Sequence, residues 1–306
     1  MSGMESETIT FQRDVPFIGT LYKPAEPGPH PALVVLHGSS GGTRQSEFYQ
    51  HLTEYLPPAG IAVFLYDRRG SGESGGRFDT ADFEMLAADG AAAAEALAAR
   101  PDIDPARVGV YGISQGGWIA PIVAARRPAT ACVVVVSGSG ISPADQMDYA
   151  TARAGREMGF DEAVVSQVLH LRGRVNDYYR GTASRADVQA ELDAARGEPW
   201  YDRAGFGQLP TDVRSSKWFY EMDYDPLPIW RAVRQPTLFL FAGDDRWVPV
   251  DRSRAAFEAV TAHLDDVTFA EIPDGDHLMG LEDEADPRIS ESYVSVLLTW
   301  LRNRLK

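Results

Sequence analysis

Short runs of apolar residues alternate along the chain with longer segments in which apolar positions recur every three or four residues. Residues 31–36, 61–66, 108–111, 132–136 and 238–241 are continuous apolar runs rich in β-branched and aromatic side chains, the pattern of strands buried on both faces. Residues 267–272 repeat that pattern in weaker form. Ahead of them, 8–12 and 17–22 alternate apolar with polar positions, which predicts an antiparallel hairpin. Helical spacing occupies 47–56, 81–99, 115–126, 252–262 and 290–305, and the second of these is rich in alanine. Strand and helix in repeated alternation predict an α/β fold, a mostly parallel central sheet with helices on both faces.

That alternation stops near Ser142 and resumes at Leu238. Residues 161–179 and 185–195 between them are amphipathic and helical. Aromatic residues follow: Trp200, Tyr201, Phe206, Trp218, Phe219, Tyr220, Tyr224 and Trp230. A helical insertion between two strands, at the carboxyl edge of a sheet, occupies the place of a lid. The expected organisation is a core of residues 1–141 and 235–306 with a helical cap over 142–234. The aromatics serve either as the insertion's own small core or as the lining for an apolar or aromatic substrate group. On the second reading Trp218, with Trp247 beyond the insertion, contacts substrate.

Composition narrows the function classes. The 306 residues suffice for a core with a substrate pocket. With 29 Lys+Arg against 44 Asp+Glu the net charge is −15, which opposes binding to nucleic acid or to an anionic membrane. Cys132 is the only cysteine and lies in an apolar run, so it reads as a small buried hydrophobe. The first seven residues are acidic rather than a basic leader, and no apolar run approaches the ~18 residues of a membrane span. A cytoplasmic protein is expected.

No His-x-His, His-Glu-x-x-His or cysteine pair marks a metal site, and Asp244, Asp245, Asp274 and Asp276 match no calcium-loop spacing. Gly70, Gly72 and Gly75 fit a dinucleotide fingerprint, but that motif opens a helix at once. Here residues 76–79 intervene before Thr80, the expected helix cap. No cofactor and no metal are expected.

Gly-x-Ser-x-Gly occurs three times, centred on Ser40, Ser74 and Ser114. A nucleophile elbow needs a strand running into the serine and a helix leaving it, which exposes the hydroxyl over a helix N-terminus. Only Ser114 meets this, between residues 108–111 and a helical run from Gly116. Pro121 within that run is expected to kink the helix or remove a hydrogen bond. A serine hydroxyl needs a base oriented by a third group. Of the six histidines, His277 follows the last short strand in a loop. His51, His170 and His263 fall in helical segments, His30 precedes a strand, and His37 flanks the first glycine loop. The orienting acid is expected after the 238–241 run, where Asp244 and Asp245 compete.

These motifs together resemble the α/β-hydrolases of the carboxylesterase, acyl-peptidase and dienelactone-hydrolase-like group. The resemblance rests on His37-Gly38-Ser39-Ser40-Gly41-Gly42, the Asp67-to-Ser74 loop, the elbow at Ser114, Asp245-Arg246-Trp247-Val248-Pro249 and Gly275-Asp276-His277, and it spans nearly the whole chain. It implies a helical cap, a catalytic set of Ser114, Asp245 and His277, and a structural role for Ser74. It also implies an oxyanion hole from the backbone N–H groups of Gln115 and of Ser39, with Ser40 as the alternative to Ser39. The implied activity is cleavage of a carboxylic ester-type bond in a small-molecule acyl substrate through an acyl-enzyme. The same residues serve a thioesterase or a peptidase/amidase, and a non-catalytic hydrolase-fold binding protein is the alternative of a different class. The sequence does not set the number of subunits.

Overall fold

The computed structural model describes residues 4–40, 42–281 and 288–305, so Gly41 of the first glycine motif lies outside the described residues. One sheet is built from β1 (Met4–Gln12), β2 (Pro16–Pro24), β3 (His30–Leu36), β4 (Ala62–Tyr66), β5 (Ile103–Ile113), β6 (Val133–Val136), β7 (Thr237–Ala242) and β8 (Val267–Ile272). The spatial order is β1-β2-β4-β3-β5-β6-β7-β8. β2 pairs antiparallel with both β1 and β4, and the remaining pairs are parallel. Every residue of β3, β4, β6 and β7 is buried, which is why these strands read as unbroken apolar runs. β8, at the sheet edge, is half-buried, and its sequence pattern is correspondingly diluted.

The helices are α1 (Gln50–Tyr55), α2 (Phe83–Ala98), α3 (Gly116–Arg126), α4 (Pro143–Glu157), α5 (Glu162–Arg180), α6 (Arg185–Ala195), α7 (Lys217–Glu221), α8 (Val250–Thr261) and α9 (Glu291–Arg304). Alternate strand residues point to opposite faces of the sheet and feed two cores. Val34, Phe64, Val135 and Phe239 meet α2, α3 and α8 on one face. Leu33, Val63, Val134 and Leu238 meet α1 and α9 on the other. α2 starts later than Thr80. Asp82 caps it, its carboxylate accepting from Met85 N–H at 2.7 Å and placing negative charge at the positive end of the helix. α3 runs through Pro121 unbroken, losing only the bond that residue's nitrogen would have donated.

α4, α5, α6 and α7 lie in sequence between β6 and β7. The aromatic cluster of that stretch divides. Trp200 and Tyr201 join Val168, Leu171 and Leu192 in a separate small core. Trp230 packs in the main core, 5.0 Å from the Phe239 ring and 5.7 Å from Phe257. Phe257 and Phe239 stack at 4.7 Å beside it.

Candidate active site

β5 delivers the chain to Ser114 and α3 leaves two residues later. Ser114 has φ +53°, a left-handed conformation that a non-glycine residue enters at about 1–3 kcal/mol and keeps only when its surroundings enforce it. They do so here. Ser114 N–H donates to Val136 C=O at 2.9 Å, and Gly117 N–H donates to Ser114 C=O at 2.8 Å. A Cβ on Gly112 would stand 2.1 Å from the Gly116 carbonyl oxygen, and one on Gly116 2.1 Å from that of Leu36. Both flanking glycines are therefore needed for strand and helix to approach this closely.

The loops after β7 and β8 meet at this edge. Asp245, 2% exposed, accepts from the N–H groups of Trp247 at 2.8 Å and Val248 at 2.9 Å. His277 Nδ1 lies 2.9 Å from both Asp245 carboxylate oxygens. Asp244 points outward and pairs with Arg153 of α4. The same guanidinium donates to Asp245 C=O at 3.1 Å, tying the acid loop to α4. Neither Asp274 nor Asp276 joins this pair. Asp274 accepts from Ser290 Oγ, and Asp276 from the N–H groups of Leu278 and Gly280, each at 2.8 Å. Among the described residues no group of three or more His, Cys, Asp or Glu side chains is placed to hold a metal ion.

Ser114 and His277 line one cavity of about 360 Å³ together with Gly38, Ser39, Ser40 and Trp247. A Cβ on Gly38 would stand 3.7 Å from Ser114 Cβ, so the loop after β3 lies directly against the elbow. His37 holds that loop by Nε2, 2.5 Å from Tyr66 C=O, and Gly38 N–H donates to Tyr49 Oη at 3.0 Å. Burial pushes the Tyr49 hydroxyl up to about 12, so it stays protonated. Gln115 stands at the N-terminus of α3, and its side chain donates to both Glu221 oxygens at 3.1 and 3.2 Å.

The two tryptophans separate. Trp247, 48% exposed, lines the Ser114 cavity and a neighbouring cavity of about 480 Å³ in the insertion. Trp218 does not reach the Ser114 cavity. It lines a third cavity, of about 330 Å³, and donates to Asn176 Oδ1 at 2.8 Å. Met147 of α4 lines all three cavities, and nothing in its sequence context distinguishes it from any amphipathic helix position. The other weighed residues sit elsewhere. Ser74 is buried and its Oγ accepts from Ile18 N–H at 3.1 Å, while His30 and His51 are buried and His170 and His263 exposed. Cys132 is buried, which pushes its thiol up to about 12.

An eight-stranded, mostly parallel sheet carrying a strained serine between strand and helix defines an α/β hydrolase. A family model described as serine aminopeptidase, S33, matches residues 28–284, and the chain belongs to that family of α/β hydrolases. The chain is similar to the Pyrococcus furiosus esterase structure, at TM-score 0.65 and 18% identity over 100% of this chain and 92% of the other. It is also similar to the proline iminopeptidase of Mycobacterium smegmatis, at TM-score 0.60 and 17% identity over 97% and 98%. An uncharacterized protein of Mycobacterium tuberculosis is 36% identical over 107 residues, 35% of this chain and 36% of that protein. The chain thus matches about a third of the length of that relative. No helix among the described residues is long and apolar enough to cross a membrane.

Proposed function

We propose that the protein is a cytoplasmic serine hydrolase that cleaves carboxylic esters of small molecules bearing an apolar group. The observation that carries this reading is the buried Asp245 against Nδ1 of His277, which lines the same cavity as a serine held at φ +53°. In this mechanism the Ser114 hydroxyl oxygen bonds to the ester carbonyl carbon while its proton passes to His277 Nε2. Asp245 holds the imidazole in the tautomer that leaves Nε2 free to accept, and it stabilises the imidazolium that forms. The carbonyl oxygen becomes an oxyanion facing the N–H groups of Gln115 and Ser39, each worth about 3 kcal/mol to the transition state. The tetrahedral intermediate collapses, and the alcohol leaves with the proton from His277. Water, deprotonated by the same imidazole, then releases the acid from the acyl-enzyme.

The apolar group of the substrate is assigned to the neighbouring cavity reached past Met147 and Trp247. Ala150, Ala154, Met158, Phe160, Val165 and Trp200 contribute to its lining. Arg172, Arg203 and Arg246 line it too, and the one lining carboxylate among the described residues, Glu157, is paired with Arg153, so the cavity supports an ester with an alkyl or aryl group over a cationic aminoacyl substrate. Treatment with a fluorophosphonate followed by peptide mapping is expected to label Ser114. Ser114→Ala is expected to lower p-nitrophenyl ester turnover by on the order of 10⁴- to 10⁶-fold with the fold intact. A variant that keeps most of its activity removes Ser114 from the mechanism. Faster cleavage of aminoacyl p-nitroanilides than of any ester favours the peptidase assignment.

A further inference from the structure

Three arginines stand close around the loop that follows β4, and they are treated differently. Arg44 pairs with Asp67 and Glu73, and Arg69 makes a two-pronged pair with Asp89, at 2.9 and 2.6 Å. Arg68 is 5% exposed and has no carboxylate within ion-pair distance among the described residues. Its hydrogen-bond partners are neutral, and the Glu221 carboxylate acts on it only from beyond ion-pair distance. Nη1 donates to Gly38 C=O at 2.5 Å and Nη2 to Ser39 C=O at 3.2 Å. One face of the guanidinium lies 3.5 Å from the centre of the Phe78 ring. Gly42 is packed so close to the guanidinium that a Cβ there would stand 2.8–2.9 Å from Nη2, Cζ and Nε. Removing a cation from water without a carboxylate in direct contact costs free energy that a more distant one offsets only in part, so the arrangement opposes stability unless the charge has another use.

The geometry of a trans peptide indicates the use. Its C=O and N–H point in opposite directions. The Gly38 carbonyl shares a peptide with the Ser39 N–H, and the Ser39 carbonyl shares one with the Ser40 N–H. We propose that Arg68 is a positioning residue for the oxyanion hole. By gripping both carbonyls from one side it turns the Ser39 and Ser40 N–H groups toward the Ser114 cavity. Its positive charge, one peptide removed and not drawn off into a direct ion pair, further polarises those donors against the developing negative charge. The inference rests on the serine-hydrolase reading of Ser114.

The grip is itself braced from the insertion. Lys217 of α7 lies 4.1 Å from the centre of the same Phe78 ring, donates to Ala81 C=O at 2.8 Å and pairs with Glu221 at 2.5 Å. Glu221 in turn accepts from the Gln115 side chain. One polar cluster therefore reaches the residues proposed to supply both oxyanion donors, through Arg68 on one side and Glu221 on the other.

The test compares wild-type protein with Arg68→Met and Arg68→Lys. It reads kcat and KM for a p-nitrophenyl ester, and inhibition by an alkyl trifluoromethyl ketone and by the matching methyl ketone. The trifluoromethyl ketone takes up the serine oxygen and becomes an oxyanion, whereas the methyl ketone reports binding alone. Arg68→Met is expected to lower kcat by about 10²- to 10³-fold with KM within about threefold, and to weaken only the trifluoromethyl ketone. Arg68→Lys, which keeps the charge and loses the fork, is expected to recover part of kcat and remain about tenfold below wild type. If Arg68→Met does not fold, Arg68→Lys decides. An unchanged kcat, or equal weakening of both ketones, overturns the proposal. Wild-type protein that neither takes up a fluorophosphonate nor cleaves any ester refutes the hydrolase reading instead, before Arg68 is altered.

Discussion

Two adjacent carboxylates, Asp244 and Asp245, differ in everything but position. Asp245 is buried, accepts two backbone N–H groups and faces His277, whereas Asp244 is solvated and bound to Arg153. An amide at Asp245 would offer the imidazole a donor as readily as an acceptor, so Nδ1 would lose its fixed proton and Nε2 the role of base proposed for it. Asp245→Asn is therefore expected to lower kcat by on the order of 10⁴-fold. Asp244→Asn should stay within a few-fold of wild type, since an exposed ion pair contributes only about 0–1 kcal/mol. Side-by-side ester kinetics check this, and inactivation by the second substitution alone reverses the assignment.

At the scale of elements, the loop after β4 is held to the sheet by charge buried under it. Arg69 sits over the Phe17 ring and pairs with Asp89 of α2, and Asp89 also accepts from Arg13 in the turn between β1 and β2 at 2.9 Å. One helix, one loop and one hairpin thus meet on a single carboxylate that is 1% exposed. Asp89→Ala would leave the Arg69 guanidinium buried with the half-exposed Asp14 as its one carboxylate partner among the described residues. The expected loss is on the order of 3 kcal/mol, read as a shift in the urea midpoint. The double variant Asp89→Ala/Arg69→Met should lose less than the two single variants summed, because it strands no charge. Additive losses would mean that the pair is not coupled.

For the molecule as a whole, α1, α9 and β5 are joined by a buried polar chain. His51 Nε2 lies 3.1 Å from Tyr293 Oη, which lies 2.9 Å from Tyr111 Oη. Burial lowers the His51 imidazole to about 4. The unfolded chain takes up a proton there near pH 6.5 and the folded chain does not until about pH 4, so this stability is complete above 6.5 and lost as pH falls. The loss between pH 7 and 4 is expected to be roughly 3 kcal/mol, and His51→Gln should remove it from the pH dependence of urea unfolding. Identical slopes for the two proteins would rule out His51 as the source. Much of this architecture is local in origin. Continuous apolar runs mark strands buried on both faces, and glycines around a serine mark a turn too tight for side chains, so sheet, helices and Ser114 can be read residue by residue. Contacts between distant segments cannot be read that way. Facing His277 toward Asp245 rather than its neighbour, sending Trp230 to the main core and Trp218 to Asn176, and leaving Arg68 out of direct ion-pair contact among the described residues all depend on loops that meet only when the sheet is assembled. Hydrophobic periodicity records which face of an element is buried, but not which partner buries it, and that choice belonged to the tertiary packing.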